Sequence, residues 1–126
     1  VNKPVIPVTI SEGMFVVIHH RNHLSIINAV PIPLSGNTYI FDFTAGGIWG
    51  GQIGAKEVGP GIWAMTGGDG NADYQINTQD KIDAWWPDAG SSGYLGSDFD
   101  MNGEVGNQDK IDIWEPNSGQ SSQVPD

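Results

Sequence analysis

The amino-acid sequence predicts a mainly β fold, in which a small antiparallel β-sandwich is followed by two acidic loops that each lead into a short helix. Short runs rich in β-branched and aromatic residues alternate with turn residues over positions 1–68. The chain has 18 glycines and 8 prolines, a usage typical of short strands joined by turns. The segment 69–90 then recurs at 98–119. With 126 residues, the chain is long enough for one domain with a buried core.

Five runs in the first part of the chain are the candidate strands of the sandwich. They are residues 5–10, 14–19, 24–29, 38–43 and 62–66. Pro7 has no N–H group to donate, so the first run is predicted to lie at a sheet edge or to begin a strand. The glycine-rich residues 45–61 show little periodicity and are predicted to form an ordered loop.

Charge and composition exclude several classes of partner and site. With 5 Lys+Arg against 15 Asp+Glu, the formal net charge of −10 repels nucleic acid and anionic lipid. The absence of cysteine excludes disulfides and thiolate metal sites. No apolar run approaches the ~18 residues of a membrane helix. The first residues resemble neither a signal peptide nor an initiator end, so we expect a mature or excised fragment.

The recurring segment is an internal repeat rich in acidic residues. Of the 15 acidic residues in the chain, 11 lie within positions 69–115, where they need a counter-charge. Aligning 69–90 with 98–119 without a gap gives nine identical pairs in 22 positions. These are Asp69/Asp98, Gln79/Gln108, Asp80/Asp109, Lys81/Lys110, Ile82/Ile111, Asp83/Asp112, Trp85/Trp114, Pro87/Pro116 and Gly90/Gly119.

Each copy of the repeat has oxygen-bearing residues at the spacing of a twelve-residue Ca²⁺ loop, which supplies ligands from positions 1, 3, 5, 7, 9 and 12. In the first loop, residues 69–80, the predicted ligands are Asp69, Asn71, Asp73, the backbone carbonyl of Gln75, Asn77 through water, and Asp80. In the second loop, residues 98–109, they are Asp98, Asp100, Asn102, the backbone carbonyl of Glu104, Gly106 through a water at most, and Asp109. The sequence therefore predicts two calcium ions as the cofactors of the chain.

A short helix is predicted after each loop. Asn77 is a good N-cap and Gly106 a weaker one. We expect helices over about 78–86 and 107–115, because the residue before Pro87 or Pro116 is biased away from the helical region. The inner faces of the helices are predicted to carry Ile82, Trp85, Ile111 and Trp114. Ile76 and Val105, at position 8 of each loop, are expected to meet in a short β-contact.

The pattern Asp-x-Asn-x-Asp-x-x-Ile-Asn-x-x-Asp from Asp69 to Asp80, followed by a short helix, resembles the repeat of type I dockerins. That repeat is a loop-plus-helix half of an EF-hand and is used in pairs. The second loop is similar and keeps Gly103 at the turn, where the first loop has Tyr74. A turn at a non-glycine residue is expected to weaken the first site slightly.

A second resemblance links both halves of the chain. His20-Arg-Asn-His23, Gly61-Ile-Trp and Gly68-Asp-Gly-Asn together resemble the calcium-binding module near the C-terminus of large secreted proteins of Bacteroidetes-like bacteria. This likeness implies a secreted protein, extracellular or at the cell surface. In that family further strands precede the His-Arg-Asn-His segment. The β-part, residues 1–68, is therefore expected to be incomplete at its N-terminal edge, so that a strand of another chain completes the sheet.

From these observations we expect a non-enzymatic, calcium-stabilised structural module. It is organised as the β-part (1–68), the repeat pair (69–119) packed on it, and a loosely held tail (120–126). Strand sharing at the edge would join copies head to tail into an extracellular assembly such as a filament, tape or surface layer. The sequence contains no nucleophile elbow and no phosphate loop, and its carboxylates are committed to the loops, so we predict no enzyme activity.

Three alternatives remain open at this point. The chain could be a recognition module that binds a cohesin-like protein or a glycan beside a larger enzyme or adhesin, with Trp86 exposed for the purpose. The cohesin role transfers poorly, because the helices carry Trp85, Trp86 and Trp114 instead of the small polar recognition residues of cellulosomal dockerins. The second alternative concerns the five tryptophans, which include Trp49 and Trp63. They could form a sugar-stacking platform or could pack between the two halves.

The third alternative is a zinc site at the histidines, which would make the chain a zinc-dependent enzyme through His20 and His23. His19 and His20 point to opposite faces of a strand, so only one of them could join His23. The competing interpretation is that His20, Arg21 and His23 make turn and inter-sheet hydrogen bonds, including one to Asp42.

Overall fold

The computed structural model of the chain describes residues 4–5 and 13–126 and contains six short strands in three separate antiparallel pairs. Each pair joins strands that are neighbours in the sequence. The pairs are β1 (Val17–Ile18) with β2 (Ile26–Ile27), β3 (Leu34–Ser35) with β4 (Thr38–Tyr39), and β5 (Lys56–Gly59) with β6 (Ile62–Ala64). A single 3₁₀ turn, Phe43–Ala45, lies between β4 and β5.

The predicted β-sandwich is wrong. Within residues 13–126 no strand exceeds four residues and none pairs with more than one partner, so the strands form three two-stranded pairs in place of the two larger sheets of a sandwich. Isolated bridges connect the pairs instead, among them His23 with Gly67 and Asn28 with Ile48. Residues 6–10 of the predicted first strand lie outside the described residues.

Side-chain hydrogen bonds explain why the predicted strands are cut short. The amide of Asn28 is fully buried and takes the place of a backbone ladder. Its Oδ1 accepts the N–H of Val16 at 2.6 Å, and its Nδ2 donates to the carbonyls of Met14 and Val30 at 3.1 and 2.6 Å. At the end of β4, the carboxylate of Asp42 accepts the N–H of Thr44 at 2.9 Å and starts the 3₁₀ turn. Local bonds of this kind compete with a sheet ladder.

Two of the six strands, β3 and β5, were not predicted. β5 lies at the end of the glycine-rich stretch that was expected to form a loop, and it pairs with β6 through an irregular register between Glu57 and Gly59. The remaining four are shortened versions of predicted runs.

A small core lies beneath these pairs. Ile26, Ile48 and Ala55 are buried, and Ile18, Phe43, Trp63 and Met65 pack against them. Trp63 therefore packs in the core, whereas Trp49 is about half exposed.

The two helices are longer than predicted because each continues through its proline. The first helix, residues 78–88, comprises Thr78–Asp80, a wide π-type segment Lys81–Trp85 and Trp86–Asp88. The second, residues 107–117, contains the π-type segment Asp109–Trp114 and the turn Glu115–Asn117. The residues before the prolines keep helical angles, so the predicted ends at 86 and 115 were wrong.

The wide segments give the physical reason. A proline ring in a helix clashes with the carbonyl four residues earlier. The N–H of Trp86 donates to the carbonyl of Lys81, and the N–H of Glu115 donates to that of Lys110, so each helix bonds five residues back just before its proline. This wider turn provides room for the ring.

The C-terminal residues are held in place, contrary to the expectation of a loosely held tail. Ser122 donates its N–H to the carbonyl of Tyr74 and its Oγ to that of Ser25, both at 2.9 Å. The tail thus links the first loop to the β-part. Among the described residues, no helix has the length and apolar character needed to cross a membrane.

Candidate metal centre

Two trios of aspartates converge in the repeat pair, one in each loop. Asp69, Asp73 and Asp80 each offer one carboxylate oxygen, and these oxygens lie within 4.8 Å of one another. Asp98, Asp100 and Asp109 do the same in the second loop. Both trios could hold a metal ion. All six residues were predicted as ligands from the sequence, and the fold brings them together in the predicted groups.

The aspartate at position 1 of each loop organises the turn. It is buried, and its two oxygens accept the backbone N–H groups of positions 5 and 6. The bonds to Asp69 come from Asp73 at 3.0 Å and Tyr74 at 3.1 Å, and the bonds to Asp98 come from Asn102 at 3.0 Å and Gly103 at 3.1 Å. The two loops have the same bonds with nearly the same lengths.

The aspartate at position 12 closes the loop and caps the helix. It is fully buried in both copies and accepts the N–H groups of positions 3 and 9. The bonds to Asp80 come from Asn71 at 3.3 Å and Asn77 at 2.7 Å, and the bonds to Asp109 come from Asp100 at 3.0 Å and Gly106 at 2.7 Å. In the first copy the Asn77 side chain also caps Gln79 N–H, which completes a capping box.

The third carboxylate comes from a different position in each loop. It belongs to Asp73 at position 5 of the first loop and to Asp100 at position 3 of the second. The remaining position is an asparagine in both cases, and its amide donates to that carboxylate: Asn71 to Asp73 at 3.1 Å, and Asn102 to Asp100 at 2.9 Å. Asparagine and aspartate have thus exchanged places without changing the number of carboxylates.

The backbone of each loop has a left-handed residue at positions 4 and 6. The φ angles are 58° at Ala72 and 61° at Met101 for position 4, and 70° at Tyr74 and 91° at Gly103 for position 6. A non-glycine residue in this region is strained, which supports the expectation that Tyr74 costs the first loop some stability.

The other predicted ligands take part in pairing and capping. Gln75 and Glu104 form single β-bridges with Ser121 and Ser92, respectively. Ligation of an ion by the carbonyls of Gln75 and Glu104, and by Asn77, stays a prediction.

Burial makes three of the trio carboxylates, those of Asp69, Asp80 and Asp100, costly to ionise without a cation. Desolvation raises the pKa of Asp69 to about 6, although hydrogen bonds from Tyr74 and Asp73 oppose the rise. Burial likewise raises the pKa of Asp80 and that of Asp100. A divalent ion placed among the three oxygens would reverse this effect, because it favours the ionised form.

The two repeats contact each other crosswise through their tryptophans. Trp85 of the first helix donates its Nε1–H to the carbonyl of Gly106 in the second loop at 2.8 Å. Trp114 of the second helix donates to the carbonyl of Asn77 in the first loop at 2.9 Å. Lys110 lies 4.5 Å from the ring centroid of Trp85, and Lys81 lies 5.0 Å from that of Trp114. The sequence prediction missed these contacts, although the matching Lys and Trp pairs were visible in the repeat.

The expected β-contact between Ile76 and Val105 is replaced by another crosswise pairing. Ile76 exchanges backbone hydrogen bonds with Gly119 and Gln120, which follow the second helix. Val105 does the same with Gly90 and Ser91, which follow the first. Each loop is thus held by the chain that leaves the other repeat.

The helix faces also differ from the prediction. Ile82 and Ile111 were assigned to the inner faces but are 46% and 52% exposed. Trp85 and Trp114 are partly buried, in agreement with their crosswise contacts.

The His20–His23 segment joins the β-part to both loops through Asn22, for which no role in the site was predicted. The backbone carbonyl of Asn22 accepts the N–H groups of Gly68 and Asp69 at 3.0 and 3.2 Å. Its Nδ2 donates to the carbonyl of Asp98 at 2.7 Å, and its Oδ1 accepts from His23 Nδ1 at 2.7 Å. Asn22 is fully buried and contacts position 1 of each loop.

The histidines make local contacts. The rings of His20 and His23 meet edge to face at 4.7 Å, and His19 Nδ1 lies 2.7 Å from Ser25 Oγ. Among the described residues, the groups of three or more metal-ligating side chains are the two aspartate trios, and no histidine belongs to them. The expected hydrogen bond to Asp42 is not formed, because that carboxylate bonds to Thr44.

Comparisons of the chain with protein families, with curated proteins and with solved structures gave no match.

Proposed function

We propose that the two loops bind two calcium ions and that these ions hold the repeat pair folded against the β-part. The observation that carries the proposal is the bond-for-bond agreement of the two loops at positions 1 and 12. In both loops these aspartates accept backbone N–H groups from the same loop positions. In both loops the carboxylate oxygens of the trio also lie within 4.8 Å of one another.

The donor set favours calcium over other metals. Every predicted ligand is a carboxylate, amide or carbonyl oxygen, which suits a hard cation. Calcium accepts six to eight oxygens in flexible geometry, whereas magnesium demands a near-ideal octahedron. A loop of twelve residues with a backbone carbonyl at position 7 and an acid at position 12 fits calcium.

The ions are proposed to be structural. The aspartates at positions 1 and 12 are buried beside each other, so the metal-free loops carry a desolvation and repulsion cost that an ion removes. In our proposal, the paired loop–helix units are dockerin-like in their metal chemistry, and the crosswise tryptophan contacts make one folding unit of the two repeats.

At the level of biology, we propose a secreted, non-enzymatic structural module, extracellular or at the cell surface, that assembles by strand sharing. The support is physical. The strands of the β-part are short, and several of its apolar side chains are exposed, among them Phe15, Val17, Leu34 and Ile40. Exposed apolar residues beside unpaired strand edges are a template for another chain.

Calorimetry tests the calcium proposal. Chelator-treated protein should bind two equivalents of Ca²⁺, and EGTA should lower the melting temperature of the loaded protein. Binding stabilises by ~4 kcal/mol when free Ca²⁺ exceeds the dissociation constant a thousandfold. An unchanged melting temperature would contradict a structural role. Electron microscopy in Ca²⁺ tests assembly, and uniformly monomeric particles would exclude it.

A recognition module is the second candidate, and the exposure of Trp86 favours it. Its side chain is 68% exposed, one turn after the exposed Ile82 on the first helix. A surface Trp of this kind is typical of binding sites for proteins or sugars. Screening the calcium-loaded protein against a glycan array and a cohesin-like domain tests this idea. Binding that Trp86→Ala abolishes, with calcium stoichiometry unchanged, would support recognition.

A further inference from the structure

A cation from the β-part reaches the second loop but not the first. Arg21 Nη2 lies 3.8 Å from Asp98 Oδ2, and the side chains of this pair are 20% and 3% exposed, respectively. Two further contacts fix the guanidinium: its Nε donates to the carbonyl of Leu95 at 3.2 Å, and its centre lies 3.7 Å from the ring centroid of Tyr94. The charge is therefore held at the loop and is not free to swing into solvent.

The matching aspartate of the first loop has a different environment. Asp69 contacts the same segment of the β-part through its own backbone N–H, which donates to Asn22 at 3.2 Å. Over residues 13–126, the ion pair of Arg21 with Asp98 is the one that reaches a loop aspartate. The loops thus have equal numbers of clustered carboxylates, while a fixed positive charge is present at one of them.

We propose that Arg21 is a built-in counter-cation of the second loop, which stabilises that loop when it is free of metal and weakens its affinity for calcium. This inference rests on the proposed function, since it presupposes calcium binding. Without metal, the guanidinium offsets part of the repulsion among Asp98, Asp100 and Asp109. With calcium bound, the same guanidinium repels the divalent ion.

The consequence is that the β-part tunes one of the two sites. The affinity of the second site is lower than its loop alone would give, and the metal-free repeat pair remains attached to the β-part through Arg21. Arg21 thus acts on the second site through its charge beside Asp98, and it is not itself a ligand.

A calcium titration followed by ¹⁵N NMR measures the two sites separately in the intact chain. The amides of Tyr74 and Gly103 are matched reporters, because each donates to the position-1 aspartate of its own loop at 3.1 Å. Arg21→Met removes the charge and keeps an apolar stem over Tyr94. Arg21→Gln also removes the charge and keeps an amide donor for Leu95. Arg21→Lys keeps the charge.

Both neutral variants should tighten calcium binding at Gly103 by about three- to tenfold, with less than a twofold change at Tyr74. Their melting temperatures in EGTA should fall below that of the wild type. Arg21→Lys should bind within about twofold of the wild type at both reporters. If Arg21→Met unfolds in EGTA, Arg21→Gln provides the same comparison.

The opposite results would overturn the inference. Weaker binding at Gly103 in the neutral variants would mean that Arg21 organises the site for calcium, and unchanged binding would mean that its charge does not reach the ion. Tighter binding in Arg21→Lys as well would assign the effect to lost stacking. If the wild type binds no calcium at either reporter, the proposed function itself fails, and Arg21 has no site to tune.

Discussion

The two acidic loops share one backbone and differ in three features. Both are organised by buried aspartates at positions 1 and 12, which accept the same four N–H groups. The third carboxylate, the residue at the left-handed position 6 and the neighbouring groups of the β-part all differ. The comparison teaches that positions 1 and 12 define the loop, whereas the other positions adjust its strain and its charge.

The largest effect is predicted for substitutions that remove the shared aspartate at position 12. Asp80→Ala and Asp109→Ala should each abolish one calcium site and leave two partly buried N–H groups without an acceptor. We expect a loss of about 3 kcal/mol or more in the free energy of unfolding from each, because hydrogen bonds to a buried charge are strong. Calorimetry and chemical denaturation in Ca²⁺ measure both effects.

Asp83→Ala and Asp112→Ala are the matched controls, since they remove exposed carboxylates three residues further along each helix. They should keep two calcium ions and lose less than ~0.5 kcal/mol. If a control variant lost as much free energy of unfolding as the position-12 variant of the same repeat, net charge and not the closed loop would determine stability.

The next effect concerns His23, which bonds to Asn22, the residue that contacts both loops. Burial, followed by the nearby His20 and Arg21, lowers the pKa of His23 from 6.5 to about 4. A pKa that is lower in the folded state stabilises the protein above pH 6.5, and that stabilisation is lost as the pH falls towards 4. In His23→Gln this loss should be absent.

The measurement is the difference in unfolding free energy between the wild type and His23→Gln in EGTA at pH 7 and pH 4. The difference is needed because the raised pKa of Asp69 acts in the opposite direction over the same range. The advantage of the wild type over the variant should shrink by about 2 kcal/mol, after allowance for partial solvent screening. If the unfolding free energies of the wild type and of His23→Gln changed equally between pH 7 and pH 4, the prediction for His23 would be wrong.

A third prediction tests whether the loops act on each other. Trp114→Phe removes the hydrogen bond to Asn77 and weakens the cation–π contact with Lys81, and Trp85→Phe removes the equivalent bond to Gly106. Each should cost about 1.5 kcal/mol. Because each tryptophan contacts the other repeat, Trp114→Phe should weaken calcium binding mainly at the first loop and Trp85→Phe mainly at the second.

Site-resolved titration with the Tyr74 and Gly103 amides distinguishes this crosswise effect from a local one. If each substitution weakened only the loop of its own repeat, the crosswise hydrogen bonds would have no influence on metal affinity.

The sequence predicts the loops well because their structure is local. The aspartates at positions 1 and 12 bond to residues within the same twelve, so spacing alone places Asp69 beside Asp80 and Asp98 beside Asp109. The β-part depends on distant partners. The amide of Asn28 interrupts a ladder at residues twelve and fourteen positions away, and no periodicity of the chain indicates this.

The junction between the two parts was also beyond sequence analysis. No role in the site was predicted for Asn22, yet its buried side-chain amide donates to Asp98 and its carbonyl accepts from Asp69. The prolines of the helices predict helix ends at residues 86 and 115, because no pattern in the sequence indicates the π-type turns that accommodate these prolines. Asn22 thus satisfies groups that are far away in the sequence, whereas each π-type turn bonds groups only five residues apart.

The smallest predicted effect isolates the strain at position 6. Tyr74 has a φ of 70°, where glycine is favoured, and Gly103 has a φ of 91° in the equivalent place. Removing the side chain at residue 74 and adding one at residue 103 should change the stability of the protein in opposite directions. Tyr74→Gly should stabilise the protein by about 0.5 kcal/mol, since the relieved strain exceeds the added chain entropy, and Gly103→Ala should destabilise it by about 1 kcal/mol. Tyr74→Gly should also raise the calcium affinity of the first loop, and Gly103→Ala should lower that of the second, because a strained turn opposes the loop shape that the ion requires. A destabilising Tyr74→Gly would mean that the contact of the Tyr74 ring with His19, at 5.9 Å between centroids, outweighs the strain of its backbone.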